Sequence, residues 1–445
     1  LAGEMPFGEM FKASALIYGH TNKGQGTWYA PLNPSPNFGV VGATGNNSSI
    51  SYRTTEYAID RKGVVLGGDI SLGAHAIHLG AWYEDNDFEQ ARRYYGLDRS
   101  ANNRDSLEFQ SNPYKTRWHY AFNTKTTQVS VEDDWTVTEA LKVNFGFKSL
   151  KVENEARFLD GYGPLVNSGS IQSKDSFLPQ VGANWKLNES SEFFGSYTEN
   201  MRAFVSAATA GPFSTTQAGF DAIKGKLKPE TSKTFEAGWR FRIQDFQGVI
   251  AAYHVTFDNR LLATASGSGV AGNPSVLSNV GSVTTNGLET AATWTINEAF
   301  SLFGSYAYND SSFDDDVRNG SGALVARTAG KSLPDAPKSI ANISLAYDLD
   351  GWYGALAAHY TGERFITYTN DLSVPAVTTL DLNVGYRFQG EGLAKGLDIQ
   401  ANVTNLLDKE YVSTIGSNGF SNSGDSQTLL AGAPRQVFVT VRKSF

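Results

Sequence analysis

Strict alternation of apolar and polar residues constrains the fold of this chain more than any other feature. In the stretch TLDLNVGYRF, residues 379–388, apolar residues take every second position: Leu380, Leu382, Val384, Tyr386 and Phe388. The positions between them are polar or small: Asp381, Asn383, Gly385 and Arg387. A strand with one apolar face and one polar face produces this pattern. The apolar face must then lie against either a protein core or lipid.

The same alternation recurs along most of the chain. TFEAGWRFRI, residues 234–243, places Phe235, Trp239 and Phe241 on one face and Glu236 and Arg240 on the other. We assign VIAAYHVTF, residues 249–257, in the same way, with these residues on its apolar face: Val249, Ala251, Tyr253, Val255 and Phe257. That assignment puts His254 on the polar face, as a residue of the lumen wall. No helical period persists over three turns, so the chain is predicted to be all-β.

Short and long connections alternate along the chain. The short links lie near Gly73-Ala74, Thr138-Glu139, Asn188-Glu189, Asp245-Phe246, Asn297-Glu298, Leu349-Asp350 and Gln389-Gly392. The long links span roughly residues 22–49, 86–115, 153–175, 202–228, 259–277, 310–334, 363–375 and 406–433. Transmembrane barrels have short turns at one end and long loops at the other. The pattern therefore predicts a transmembrane antiparallel β-barrel of about sixteen strands, many longer than the ~9–11 residues that cross a bilayer.

Composition agrees with a barrel and excludes several other classes. The 445 residues carry a net charge of −8 and no long basic run, which argues against nucleic acid as a partner. With no cysteine, neither disulfides nor thiolate metal sites can form. A closed sheet satisfies every backbone group in lipid, so we expect the apolar row of residues 379–388 to face outward. The start of the chain has no signal-peptide pattern, and we expect an exported protein whose original N-terminus lies outside this sequence.

Four stretches resemble the C-terminal barrel of TonB-dependent outer-membrane receptors. They are LKPETSKTFEAGWRF (227–241), NVGSVTTNGLE (279–289), NVTNLLDKEY (402–411) and GAPRQVFVTVRKSF (432–445). The terminal Phe445, preceded at two-residue steps by Val441, Val439 and Val437, resembles the signal that barrel-assembly machinery reads. Lys443 departs from that signal, where an apolar residue is expected. The resemblance is strong over 227–445 and looser over 50–204.

The resemblance implies a fold and a function. Receptors of this family have twenty-two strands around a plug domain. We therefore expect residues 1–445 to be the C-terminal portion of such a barrel, with the plug domain and first strands absent from this sequence. The implied function is active uptake of a ferric siderophore or similar scarce ligand across the outer membrane of a Gram-negative bacterium, energised through TonB. The implied partners are the TonB complex (through the missing N-terminal part), the ligand, outer-membrane lipid and lipopolysaccharide, and the assembly machinery.

Two other classes remain as alternatives. A passive diffusion porin is the main one, because barrels of sixteen to eighteen strands form open channels. An outer-membrane enzyme needs a nucleophile beside a base. The six histidines are scattered along the sequence: His20, His75, His78, His119, His254 and His359. We therefore predict no enzymatic activity and no cofactor.

Loop 86–118 is the candidate ligand site. It mixes cations with aromatic rings: Arg92, Arg93, Tyr94, Tyr95, Arg99 and Trp118. Arginine hydrogen bonds and aromatic stacking suit anionic siderophores with aromatic groups. The alternative is ordinary loop decoration or contact with lipopolysaccharide phosphates.

No metal site is predicted. Residues 314–316, DDD, could hold calcium or form a solvated turn. Haem is not expected, since haem receptors of the family carry a histidine before the Pro-Glu strand and residues 202–228 have none.

Overall fold

Seventeen strands of this chain form one antiparallel sheet. The computed structural model describes residues 1–30, 50–97, 104–162, 166–265, 275–318, 323–390, 392–416, 419–425 and 427–444. The strands of the sheet are β1 (Ala2–Phe7), β2 (Phe11–Ala30), β3 (Ser51–Leu72), β4 (His75–Tyr95), β5 (Lys115–Thr136), β6 (Leu141–Asp160), β7 (Gly169–Asn188), β8 (Ser191–Arg202), β9 (Glu230–Ile243), β10 (Phe246–Asp258), β13 (Val283–Thr295), β14 (Phe300–Phe313), β17 (Ser339–Leu349), β18 (Trp352–Thr361), β21 (Val377–Arg387), β22 (Leu397–Thr404) and β25 (Gln436–Lys443).

The remaining strands form four small hairpins inside long connections. They are β11 (Leu261–Ala265) with β12 (Ser275–Asn279), β15 (Val317–Arg318) with β16 (Leu324–Ala326), β19 (Arg364–Phe365) with β20 (Ser373–Val374), and β23 (Val412–Ile415) with β24 (Leu429–Ala431). The helical elements are α1 (Gln217–Ile223) and a 3-10 turn (Gly392–Ala394). Within the described ranges, no helix is long and apolar enough to cross a membrane.

The predicted all-β, antiparallel architecture is confirmed. Each strand of the large sheet pairs with the next one along the chain, and the hairpins are skipped. The seventeenth strand is β1, which residues 8–10 join to β2. We call the end of the sheet with the short connections the turn end, and the opposite end the loop end.

The two faces of the sheet differ in chemistry. We call outer the face that carries Phe235, Ile250 and Leu288, whose side chains are 54%, 40% and 41% exposed. We call inner the opposite face, which carries Glu236 and Glu289. Residues paired directly across antiparallel strands share a face, so the register assigns every strand to one or the other.

The register overturns the orientation that the sequence predicts for β10. Val249 pairs with Arg240 and Tyr253 pairs with Glu236, so the predicted apolar row lies on the inner face. His254 pairs with Phe235 and therefore lies on the outer face, not on the lumen wall. The sequence misled because most residues of this strand are apolar, which leaves no clear alternation to follow.

The last strands follow the predicted orientation. Val437, Val439 and Val441 are 66%, 69% and 64% exposed and share the outer face. Thr440 pairs with Gln400 on the inner face. The terminal Phe445 lies outside the described residues.

The strands β2 to β7 extend well beyond the length that crosses a bilayer. They contain 20 to 22 residues, against the ~9–11 required. The outer-face residues of β4 change along the strand, from Leu79 and Tyr83 to Asp85 and Asp87. The apolar band thus ends near Tyr83, and β4 continues through much of the predicted loop 86–115. Polar residues on both faces beyond the band had hidden the alternation.

A long connection folds back onto the inner face near the loop end. We call residues 203–229 the inner segment. Gln90 and Asn154 hold it through hydrogen bonds, to the Ala208 backbone N–H at 3.2 Å and to the Ser206 hydroxyl at 2.9 Å. Its apolar residues join one buried cluster with residues of β5, β6 and β7: Trp118, Tyr120, Phe122, Ala156, Ile171, Phe204, Ala208, Phe213 and Phe220.

Candidate functional site

The sequence-predicted site residues are divided between two faces of β4. Arg92 and Tyr94 lie on the inner face, while Arg93 and Tyr95 lie on the outer face, because consecutive residues of a strand alternate. They belong to the strand and not to the loop that follows it. Arg99 lies outside the described residues.

On the inner face, Arg92 lies over the ring of Trp118. Its guanidinium carbon is 5.2 Å from the ring centroid, which is cation–π distance. Its Nε donates a 3.2 Å hydrogen bond to the Thr55 hydroxyl. The structure therefore brings together two of the predicted residues, with Tyr94 next on the same face.

Two further arginines lie beside Arg92. Arg53 pairs with Tyr94 across the strands, and its guanidinium carbon is 5.2 Å from the ring centroid of Trp28. Arg117 precedes Trp118, close enough for its charge to act on Arg53 and Arg92. We call Arg53, Arg92 and Arg117 the arginine triad.

The triad is buried and incompletely satisfied. Arg53 is 5% exposed and Arg92 is 8% exposed. Three of the triad's nitrogen atoms are buried without a hydrogen-bond partner: Nε of Arg53, Nη1 of Arg92 and Nη1 of Arg117. Among the described residues, no carboxylate forms an ion pair with any of the three.

The electrostatics of the triad follow from this burial. Arg92 lies beyond the apolar band, near the loop end of β4. Burial, reinforced by the charge of Arg53, lowers its pKa to about 10. Burial likewise lowers the pKa of Arg53. Both remain positively charged at neutral pH, so the site holds closely spaced cations of one sign.

On the outer face, Arg93 and Tyr95 make a different set of contacts. Arg93 forms an ion pair with Glu56, and the Tyr95 hydroxyl donates a 2.6 Å hydrogen bond to the same carboxylate. Burial and this hydrogen bond raise the pKa of Tyr95. The guanidinium carbon of Arg104 lies 5.3 Å from the Tyr95 ring centroid. These groups satisfy one another, so they hold the strands together and leave few donors available.

Aromatic hydroxyls border the triad on the loop side. Burial raises the pKa of Tyr162 to about 12, with a contribution from Tyr94. The Lys115 ammonium nitrogen lies 3.9 Å from the Tyr162 ring centroid. The site is therefore a cationic patch with aromatic walls, open to ligands that offer hydrogen-bond acceptors.

Sequence reasoning missed Arg53, Arg117 and Trp28. A signal for Arg53 was available in the two-residue connection at Gly73-Ala74. This short turn fixes the register of β3 against β4 and places Arg53 opposite Tyr94. Burial of the guanidinium groups could not be read from that register.

Arginines elsewhere on the inner face have acidic partners. Arg240 forms an ion pair with Glu192, and Arg387 donates hydrogen bonds of 2.8 and 2.9 Å to Asp348. The triad is thus distinguished from the general wall by its unpaired charge.

The histidines and the acidic run make local contacts. His75 contacts Asp133 at 2.7 Å and His78 contacts Asp69 at 2.8 Å. Asp316 accepts a 2.9 Å hydrogen bond from the Thr328 backbone N–H and so holds its loop together. Within the part of the chain that the structure describes, no group of three or more histidine or acidic side chains is arranged to hold a metal ion.

Comparison with known proteins gives a family match across most of the chain. A family model described as "TonB dependent receptor-like, beta-barrel" matches residues 11–406. The probable TonB-dependent siderophore receptor PiuA of Acinetobacter baumannii is 22% identical over 313 residues, or 68% of this chain and 39% of that protein. The catecholate siderophore receptor Fiu of Escherichia coli is 24% identical over 277 residues, or 60% of this chain and 33% of that protein.

A solved structure shares the fold. The crystal structure of PiuA from Acinetobacter baumannii superposes with a TM-score of 0.68 at 17% sequence identity, covering 99% of this chain and 63% of that one. The chain thus spans less than two thirds of the length of each of these proteins.

Proposed function

This chain belongs to the TonB-dependent receptor family, and from that membership we propose that it forms part of an outer-membrane receptor that takes up a ferric siderophore through TonB. The family match over residues 11–406 and the siderophore-receptor names of its relatives support this proposal. Its barrel wall would stand in the outer membrane of a Gram-negative bacterium, with the outer face against lipid and the loop end outside the cell. Residues 1–445 would supply the C-terminal portion of the wall and its loops.

One observation supports ligand capture by this part of the receptor. The arginine triad lies on the inner face near the loop end, which a ligand arriving from outside would reach first. Its buried nitrogen atoms without partners are donors that an anionic chelate can satisfy. A charged hydrogen bond typically contributes about 1.5–3 kcal/mol, so two or three such bonds suffice for capture at low concentration.

The chemistry required of the wall is binding and release, with no covalent step. Trp28 and Trp118 fix the faces of Arg53 and Arg92, so little side-chain entropy is lost when the ligand binds. The inner segment forms one side of the site through Trp118. Release into the lumen would then depend on work delivered through TonB to parts of the receptor that lie before this chain.

Uptake of radioactive iron chelates tests the proposal. Iron-limited cells that carry the full-length receptor should accumulate iron from a chelate panel, and a matched strain without TonB should not. The control is a receptor-deficient strain, which measures background. Accumulation that persists without TonB and is proportional to chelate concentration would overturn the proposal in favour of a passive porin.

A further inference from the structure

The arginine triad has an excess of positive charge that the described protein does not neutralise. The charges of Arg53 and Arg117 each disfavour the protonated form of Arg92. A buried cation without an acidic partner is unfavourable for the folded state. Since Arg240 and Arg387 on the same inner face do have acidic partners, the missing negative charge points to the ligand.

The two tryptophans restrict how that ligand can bind. Trp28 and Trp118 already cover a face of the Arg53 and Arg92 guanidinium groups. The N–H donors of guanidinium lie in its plane, so the positions that remain are at its edge. An incoming group must therefore approach edge-on as an oxygen acceptor, and a carboxylate or similar planar oxyanion fits that geometry.

The number of unpaired donors sets a minimum charge. The buried nitrogen atoms without partners belong to three different side chains, and one oxyanion can pair closely with one guanidinium fork. A single negative charge would leave the triad with net positive charge. Neutrality requires a ligand with two or more anionic groups.

Resting on the proposed function, we propose that the arginine triad selects iron chelates carrying two or more anionic oxygen groups of the carboxylate type over neutral or cationic hydroxamate chelates. Ligand charge, rather than the ligand's own aromatic rings, is the basis of selection at this site. The closing contact is edge-on hydrogen bonding to Arg53, Arg92 and Arg117.

The test measures binding to the full-length receptor in outer membranes. The probes are a series of ferric carboxylate chelates that begins with ferric citrate, and a series of ferric hydroxamates that begins with ferrioxamine B. We expect the best carboxylate chelate to bind at least tenfold more tightly than the best hydroxamate, with affinity that falls as salt increases. Arg53→Gln, Arg92→Gln and Arg117→Gln should each weaken carboxylate binding roughly tenfold to a hundredfold and leave hydroxamate binding unchanged.

Two further variants guard against misinterpretation. Arg157→Gln removes an exposed arginine on the outer face of β6 and should leave carboxylate binding at the wild-type level. Arg53→Lys keeps the charge and loses the planar fork, so it should retain the preference for anionic chelates at reduced affinity. Folding of every variant is checked by heat-modifiable gel mobility.

The outcomes separate this inference from the proposed function. TonB-dependent uptake of hydroxamates equal to that of carboxylates, or carboxylate binding unaffected by the glutamine variants, would overturn the charge selection and leave the receptor function standing. Absence of TonB-dependent uptake for every chelate would overturn both.

Discussion

Two adjacent arginines in β4 have opposite surroundings because alternate residues of a strand face opposite sides. Arg93 is neutralised by Glu56 on the outer face, and Arg92 has only a hydroxyl partner, Thr55, on the inner face. The sequence grouped them because it brought cations and rings together within a few positions. Alternation alone separates them, whereas the charge state of each surrounding depends on neighbouring strands.

The face assignment of β10 leads to a test at single residues. Ile250→Arg should impair barrel assembly, because an arginine on the lipid face near the midplane costs roughly 2–4 kcal/mol. Val249→Arg should be tolerated, since Val249 lies on the inner face near Glu289. Heat-modifiable mobility of outer-membrane fractions measures both. Impaired assembly of the Val249 variant alone would restore the orientation read from the sequence.

At the scale of elements, the inner segment shows what sequence periodicity cannot predict. Its length and its place between β8 and β9 were evident as the predicted connection 202–228. Its docking was not, because the contacts join residues far apart in sequence, such as Phe213 with Phe122 at a centroid distance of 5.8 Å. The strands themselves were predicted well wherever one face is apolar and the other polar. They were cut short in β4 and lost their orientation in β10, where that contrast disappears.

The inner segment should detach when its central aromatic is removed. Phe213 is fully buried between Phe122 and Phe220, and replacing a buried phenylalanine by alanine typically costs about 3–5 kcal/mol. That loss is confined to contacts between the segment and the wall. Phe213→Ala should therefore increase protease cleavage within residues 203–229 and leave the barrel's heat-modifiable mobility unchanged.

Phe109→Ala is the matched control for this prediction. Phe109 is 60% exposed in another long connection, and its removal should leave the cleavage pattern of the inner segment as in the wild type. If both variants are cleaved at the wild-type rate, the segment is held by its hydrogen bonds to Gln90, Asn154 and Asn167 and not by its aromatic cluster.

At the scale of the whole molecule, the wall is taller around the candidate site than elsewhere. Strands β3 to β5 contain 21 or 22 residues, whereas β17 to β21 contain 10 or 11 in the main sheet. The stretch of β4 from His75 to Tyr83 has about the length that crosses a bilayer, roughly 9–11 residues. The triad therefore stands on the part of the wall that extends beyond the apolar band, where ligand arriving from solution can reach it and where buried arginines need not face lipid.

The height of this wall can be measured because the chain has no cysteine, so each introduced thiol carries a unique label. Leu79 and Asp87 both lie on the outer face of β4, on either side of Tyr83. An environment-sensitive fluorophore attached through Leu79→Cys should show blue-shifted emission quenched by lipid-borne quenchers, since that position lies in the hydrocarbon region. The same label at Asp87→Cys should emit as in water and respond to aqueous iodide. Lipid quenching at both positions would mean that the bilayer reaches the level of Asp87 and its partner Asn123. In that case the acidic residues above Tyr83 would face headgroups, and the triad would lie much closer to the membrane surface than the alternation from apolar to charged residues indicates.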